Sequence, residues 1–171
     1  MSEFHRPERI DMIGEGDRRI AISADARERA ALATRFGLVS IDSLEAVLDV
    51  HRDAAGIRVA GRITAAIVQA CSITDDPITV TIDEPVALTF VEPGGMSEEI
   101  ELAEGTLDTL EIEGSAIDLG EVAAETMALA LDPFPRGPQA AAALKEAGVL
   151  TEEEAKPAGP FAGLKDRLAG R

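Results

Sequence analysis

The chain has no positive charge over nearly half of its length. No lysine or arginine occurs between Arg62 and Arg136, although 16 of the 32 aspartates and glutamates lie in that window. The other 16 acidic residues balance the 16 basic ones, so the net charge of -16 belongs to this one region. Such a region repels nucleic-acid phosphates and attracts the basic surface of another protein.

Several other residue types are scarce. There is no Trp or Tyr, and there are only five Phe, so an aliphatic core is expected. The single cysteine cannot form an internal disulfide. No apolar run approaches the roughly 20 residues of a membrane helix, and the first residues lack the apolar stretch of a secretory signal. We therefore expect a cytoplasmic protein that does not associate with membranes.

Two long runs of alternating apolar and polar residues predict β-strands. They cover residues 57–74 and 78–90, and the turn sequence Asp75-Asp76-Pro77 separates them. This arrangement predicts a long antiparallel hairpin. We expect a bend or bulge near Gly61, and an irregularity or a sheet edge at Pro85.

Helix signals flank the predicted strands. Asp25 is placed to cap a helix over residues 26–36, and Asp118 to cap one over residues 119–131. The fold class expected is α+β, with a strongly bent antiparallel sheet built around the hairpin and a few packed helices. The sheet could close in part into a barrel. Residues 1–150 would form this single domain, and residues 151–171 a flexible tail, rich in acidic residues and proline, with a short amphipathic helix.

Few residues suggest catalysis. No glycine-rich phosphate loop occurs, and a lone thiol, Cys71, cannot supply the roughly four ligands of a zinc site. Cys71 is expected to be a small core residue. We therefore predict a protein that is not an enzyme and holds no cofactor. An uncharacterised hydrolase that uses His51 and the acidic loop is the catalytic alternative.

Three segments together resemble a known family. They are Cys71-Ser72-Ile73-Thr74-Asp75-Asp76-Pro77-Ile78, then Ile117-Asp118-Leu119-Gly120-Glu121-Val122 continuing through Leu131 to Pro135, and Pro160-Phe161-Ala162-Gly163-Leu164-Lys165. Their order and spacing, over residues 38–165, resemble the YceD family of large ribosomal RNA subunit accumulation proteins. The resemblance implies a role in accumulation of large-subunit ribosomal RNA, without catalytic residues. Thr74 stands where many relatives have a second cysteine, so a metal role for this turn is not expected.

The charge pattern adds a hypothesis about mechanism. The acidic half would bind a basic protein, such as a ribosomal protein or assembly factor, and would act on ribosomal RNA indirectly or weakly. The candidate partner-binding residues are Glu98, Glu99, Glu101, Glu104, Asp118, Glu121, Glu125, Phe161 and Leu164. The alternative is direct RNA binding through arginines of the first 62 residues, namely Arg18, Arg19, Arg58 and Arg62.

Some of these residues have a second interpretation. Asp118 is most simply a helix cap. Glu125 could anchor a partner or pair with an arginine of the sheet. Phe161 and Leu164 could cover the domain itself or dock on a partner, and the prolines and glutamates before them favour docking.

Overall fold

The computed structural model describes residues 2–93 and 108–150. Two short strands and one helix precede a run of five consecutive strands, and two helices follow it, as expected for an α+β protein. The strands are β1 (Pro7–Arg9), β2 (Arg18–Ser23), β3 (Ser40–Asp53), β4 (Gly56–Ala70), β5 (Pro77–Val91), β6 (Asp108–Glu111) and β7 (Ala116–Asp118). The helices are α1 (Ala26–Phe36), α2 (Leu119–Leu129) and α3 (Ala140–Glu146), and one 3-10 turn covers Ile10–Met12.

Five strands form the main sheet in the order β2-β3-β4-β5-β6. All neighbours are antiparallel except β5 and β6, which run parallel. The predicted hairpin is confirmed as β4 and β5, joined through Asp75 in a left-handed conformation with φ of 59°. The side chain of Asp53 closes the preceding β3–β4 turn by accepting from the backbone N–H of Ala55 at 2.8 Å.

Partial closure of the sheet into a barrel, which the sequence left open, finds no support. Among the described residues, β2 and β6 are the two edges of the sheet and do not pair with each other. Both edge strands are short, and β6 pairs only with Leu88–Val91 at one end of β5. The buried face of the sheet is covered by α1 on β3 and by α2 across β3, β4 and β5. A two-stranded sheet of β1 and β7 brings the N-terminal segment to α2.

Gly61 does not mark a bulge. The ladder runs in register through it, with Gly61 opposite both Leu48 and Val86. The irregularity lies instead between Ile41 and Ser43. A Cβ atom at Gly61 would stand 2.1 Å from the carbonyl oxygen of Val47, so glycine is needed here for close approach of two backbones.

Within the described residues, Pro85 lies at a sheet edge on one side of β5, as expected. Pro85 is in register with Arg62 of β4, and β6 joins β5 only from Leu88 onward. Its missing N–H therefore removes no bond of the β5–β6 ladder.

The core is aliphatic, as the composition predicted. Its fully buried side chains include Phe4, Leu48, Ile63, Leu119 and Met127, each 0% exposed. Burying one such side chain stabilises the fold by about 1.5–3 kcal/mol. Among the described helices, none combines the length and the apolar composition of a membrane span.

Both predicted helix caps are confirmed. Asp25 accepts from the backbone N–H of Arg27 and Glu28, Glu28 returns a bond to the backbone N–H of Asp25, and Gly37 ends α1 with φ of 65°. These contacts give α1 the predicted bounds. Helix α2 begins where predicted and ends at Leu129, two residues earlier than expected.

Candidate functional site

A groove with an acidic rim lies where α2 begins, beside the ends of β5, β6 and β7. Its volume is about 450 Å³. The floor is formed by apolar residues, and five carboxylates surround it. These residues are Phe90, Leu110, Ile112, Ala116, Ile117 and Val122 on the floor, with Glu111, Glu113, Asp118, Glu121 and Glu125 around them. We call this feature the acidic groove.

Asp118 is fully engaged in holding the fold. Its Oδ1 atom accepts from the backbone N–H of Gly120 at 3.0 Å, which caps α2, and from that of Arg6 at 2.8 Å. Its Oδ2 atom lies 2.6 Å from Nδ1 of His5. The helix-cap interpretation is thus confirmed, and the same carboxylate ties the N-terminal segment to α2.

Glu121 is neutralised by an arginine of α1. The guanidinium of Arg35 contacts its two carboxylate oxygens at 2.6 and 3.1 Å, and Arg35 also reaches Glu3 at 3.0 Å. The hydrogen bond from Arg35 holds the pKa of Glu121 below its ordinary value. Glu121 therefore adds little net charge to the groove.

The remaining three carboxylates carry the charge of the groove. Glu111, Glu113 and Glu125 are exposed, and none forms an ion pair with a cation of residues 2–93 or 108–150. We call them the rim carboxylates. Of the two roles considered for Glu125, pairing with an arginine of the sheet is not observed within that part of the chain. A cation brought by another molecule would meet three negative charges beside an apolar floor.

The structure brings together only part of the predicted partner-binding set. Asp118, Glu121 and Glu125 share the acidic groove, because positions separated by three or four residues lie on one face of a helix. The other predicted residues, Glu98, Glu99, Glu101, Glu104, Phe161 and Leu164, lie outside the described residues.

Sequence reasoning missed Glu111 and Glu113. Their signal was their position on either side of Ile112 in a short alternating segment. That alternation turns Ile112 into the floor, where it is 5% exposed, and leaves the two carboxylates at the rim.

The arginines of the RNA-binding alternative do not form one cationic surface. Arg19, Arg58 and Arg62 lie on the outer face of the sheet, whereas Arg18 lies on the opposite side, 3.0 Å from Glu8. On the outer face, carboxylates alternate with the arginines. Arg19 is in register with Asp49, Arg58 lies 3.8 Å from Asp53, and Arg62 lies 2.6 Å from Asp83.

The turn over residues 71–76, which we call the Cys71 turn, has a structural role. Cys71 is 0% exposed, and its Sγ accepts from the backbone N–H of Gly137 at 3.3 Å. Ser72 N–H donates to the carbonyl of Pro135 at 2.8 Å, so the turn is fastened to the segment after α2. Hydrogen bonding from the Thr74 side chain, followed by the backbone N–H of Gly137, lowers the pKa of the thiol to about 7. No group of three or more metal-ligating side chains occurs in the described part of the chain.

His51 has acidic neighbours on the outer face of the sheet. Its Nδ1 atom is 2.9 Å from Asp17, at ion-pair distance but without hydrogen-bond geometry, and its Nε2 atom is 3.9 Å from Asp53. The acidic loop that the hydrolase alternative invokes falls mostly in residues 94–107, outside the described residues. Within the described residues, His51 therefore has two aspartates as neighbours, and most of the acidic loop needed by the hydrolase alternative is not among those residues.

Comparison with known proteins identifies the family. The model described as "Large ribosomal RNA subunit accumulation protein YceD" matches residues 59–166, more than half of the chain. The matched range contains most of β4, all of β5, the Cys71 turn and the acidic groove. No curated protein and no solved structure matches the chain. The chain belongs to the YceD family.

Proposed function

We propose that this protein supports accumulation of large-subunit ribosomal RNA by binding a basic protein in its acidic groove, without catalysing a reaction. The family's description supplies the process. The observation that carries the mechanism is the set of three rim carboxylates around an apolar floor. The partner would be a ribosomal protein or an assembly factor, and ribosomal RNA would be affected indirectly or weakly.

The groove suits a segment that combines positive and apolar side chains. An exposed ion pair contributes only about 0–1 kcal/mol, so three of them give specificity and fast association rather than tight binding. Covering the floor adds about 25 cal/mol for each Å² of apolar surface removed from water. A lysine or arginine next to an aliphatic or aromatic residue would use both contributions.

The proposal is tested by ribosomal RNA levels in cells. In one strain, the native protein is replaced by the full chain with Glu111→Gln, Glu113→Gln and Glu125→Gln. The control strain carries Glu15→Gln, Glu45→Gln and Glu84→Gln, exposed residues that make the same change of charge away from the acidic groove.

The expected result is a lower ratio of large-subunit to small-subunit ribosomal RNA in the first strain only, at equal protein level. Equal ratios in the two strains would refute the proposed role of the groove. A loss in both strains would show that total charge, rather than the groove, is what matters.

Direct RNA binding is not favoured by the arrangement of arginines. Phosphate binding requires cations that are not already neutralised, and Arg62 and Arg18 each contact a carboxylate. A gel shift with ribosomal RNA, repeated with Arg18→Glu and Arg19→Glu, decides the matter. The proposal predicts no shift for the purified protein, whereas a shift that these substitutions abolish would establish the alternative.

A further inference from the structure

Helix α3 is too short to be stable without a packing partner. It has seven residues, Ala140–Glu146, and of these the structure buries Ala140 alone. Isolated helices shorter than about 12–15 residues are marginal in water, because most helix stability in proteins comes from packing. The apolar side chains that follow, Val149 and Leu150, are 52% and 63% exposed. This part of the described domain therefore leaves apolar side chains exposed to solvent.

A groove of about 560 Å³ runs along this helix. Its lining is mainly apolar and includes two cations. The lining residues are Arg136, Gly137, Ala140, Ala141, Leu144, Lys145, Val149 and Leu150. We call this feature the α3 groove. It is separate from the acidic groove, with which it shares no residue.

The end of α3 fixes the direction in which the chain continues. Val149 N–H donates to the carbonyl of Leu144 at 2.9 Å, Gly148 N–H donates to that of Lys145 at 3.1 Å, and Gly148 has φ of 77°. These bonds make a Schellman motif, which brings the residue after the glycine onto the last turn of the helix. Val149 and Leu150 thus line the groove, and the described part of the chain ends there.

The sequence after Leu150 complements this groove. Glu152, Glu153 and Glu154 follow immediately, and Arg136 and Lys145 are the only basic residues between Arg62 and Lys156. Further on, Phe161, Leu164 and Leu168 have the i, i+3, i+7 spacing of an apolar helix face. The ten residues between Leu150 and Phe161 span up to about 33–36 Å when extended, which is long enough for Phe161 to reach the groove.

We propose that residues 151–168 of the same chain cover the α3 groove, with Phe161 and Leu164 on its apolar lining and the three glutamates near Arg136 and Lys145. Of the two alternatives that the sequence left open for Phe161 and Leu164, this selects the covering of their own domain. The proposal does not depend on the function of the acidic groove.

Disulfide trapping tests the contact directly. In the full chain with Cys71→Ser, Leu144→Cys and Leu164→Cys are introduced together, and the control pairs Leu164→Cys with Val47→Cys on the outer face of the sheet. Under mild oxidation at low protein concentration, we expect an intramolecular disulfide that forms at least about tenfold faster in the first protein. Equal rates would overturn the proposal. A cross-linked dimer as the main product would also overturn it and would identify a second copy as the occupant.

Hydrogen exchange tests it without altering Cys71. The full chain is compared with Phe161→Asp plus Leu164→Asp, and with Ala169→Asp plus Gly170→Asp, which adds the same charge beyond residue 168. We expect the amides of residues 143–147 to exchange about tenfold faster in the first variant and unchanged in the second. Equal exchange in all three proteins would show that nothing in the tail covers α3.

Discussion

The guanidinium of Arg35 on α1 donates two hydrogen bonds to the carboxylate of Glu121 on α2, of 2.6 and 3.1 Å. This pair joins elements that are 86 residues apart in the chain. It also divides the carboxylates of the acidic groove into two kinds. Glu121 is satisfied by the fold, whereas Glu125, one turn later on the same helix, is exposed and has no such contact in the described part of the chain.

Glu121 and Glu125 should therefore respond oppositely to the same substitution. Glu121→Gln should lower the free energy of unfolding by about 0.2–1 kcal/mol, the usual size for a partly exposed ion pair, and leave partner binding nearly intact. Glu125→Gln should leave stability unchanged and weaken binding. Urea unfolding and capture of basic proteins measure the two effects. If both variants behaved alike in both measurements, the division would be wrong.

Gly120 should not tolerate a methyl group although it lies in a helix. Alanine is favoured over glycine in a helix by about 1 kcal/mol. A Cβ atom at Gly120, however, would stand 1.9 Å from the carbonyl oxygen of Phe4. We expect Gly120→Ala to lower the free energy of unfolding by about 1–3 kcal/mol. The control is Gly16→Ala, where nothing lies within 4 Å. A stabilised Gly120→Ala protein would show that the N-terminal segment does not pack on α2.

Stability should fall in acid because two carboxylates are paired. Hydrogen bonds from Arg6 and Arg35 hold the pKa values of Glu28 and Glu121 below the ordinary 4.5. As the pH falls below 4.5, the unfolded chain takes up these protons first, so the folded state loses stability until the native carboxylates also protonate. We expect the free energy of unfolding contributed by these groups to be constant above that pH and to decrease below it.

The contribution of Glu121 can be isolated with Arg35→Met. Without the guanidinium, the native pKa of Glu121 should rise toward 4.5, and the slope of stability against pH below 4.5 should become shallower. Arg19→Met serves as the control, since Arg19 lies on the outer face of the sheet. Unfolding by urea at pH 3–7 gives the slopes. Identical slopes in wild type and Arg35→Met would contradict the assignment.

The Cys71 thiol should titrate near neutrality. Its pKa is lowered to about 7, first by the Thr74 side chain and then by the backbone N–H of Gly137. Thr74→Val should move the titration midpoint of thiolate absorbance upward, while the backbone donors keep it below the ordinary 9.0. Thr79→Val, on the exposed face of β5, is the control. An unchanged midpoint in Thr74→Val would mean that the Thr74 hydroxyl donates its proton to the carboxylate of Asp76, 2.7 Å away, and not to the thiol of Cys71.

Local signals predicted much of this fold. Asp25 and Asp118 cap helices because each cap depends only on residues within the next turn. The β4–β5 hairpin likewise follows from two alternating runs and one turn. Gly61 shows where this logic ends. The sequence showed only that Gly61 has no side chain. The structure shows that the backbone of Val47 and Leu48 on β3 occupies the space that a side chain would need.

The acidic groove could not be predicted from local patterns, because it is formed by contacts between residues far apart in the chain. The groove forms because β6 pairs in parallel with β5, and its charge depends on which carboxylate Arg35 contacts. The α2 segment was identifiable in the sequence, so Glu121 and Glu125 were found. Glu111 and Glu113 were missed because they join the site only through the β5–β6 pairing.

Capture of basic proteins shows whether the acidic groove binds a partner. The full chain, the Glu111→Gln/Glu113→Gln/Glu125→Gln variant and the Glu15→Gln/Glu45→Gln/Glu84→Gln control are immobilised and offered proteins extracted from large ribosomal subunits, at about 50 mM and 500 mM salt. We predict that wild type and control retain the same basic protein at low salt and release it at high salt, and that the groove variant retains much less. Equal retention by all three proteins, or retention that salt does not weaken, would contradict it.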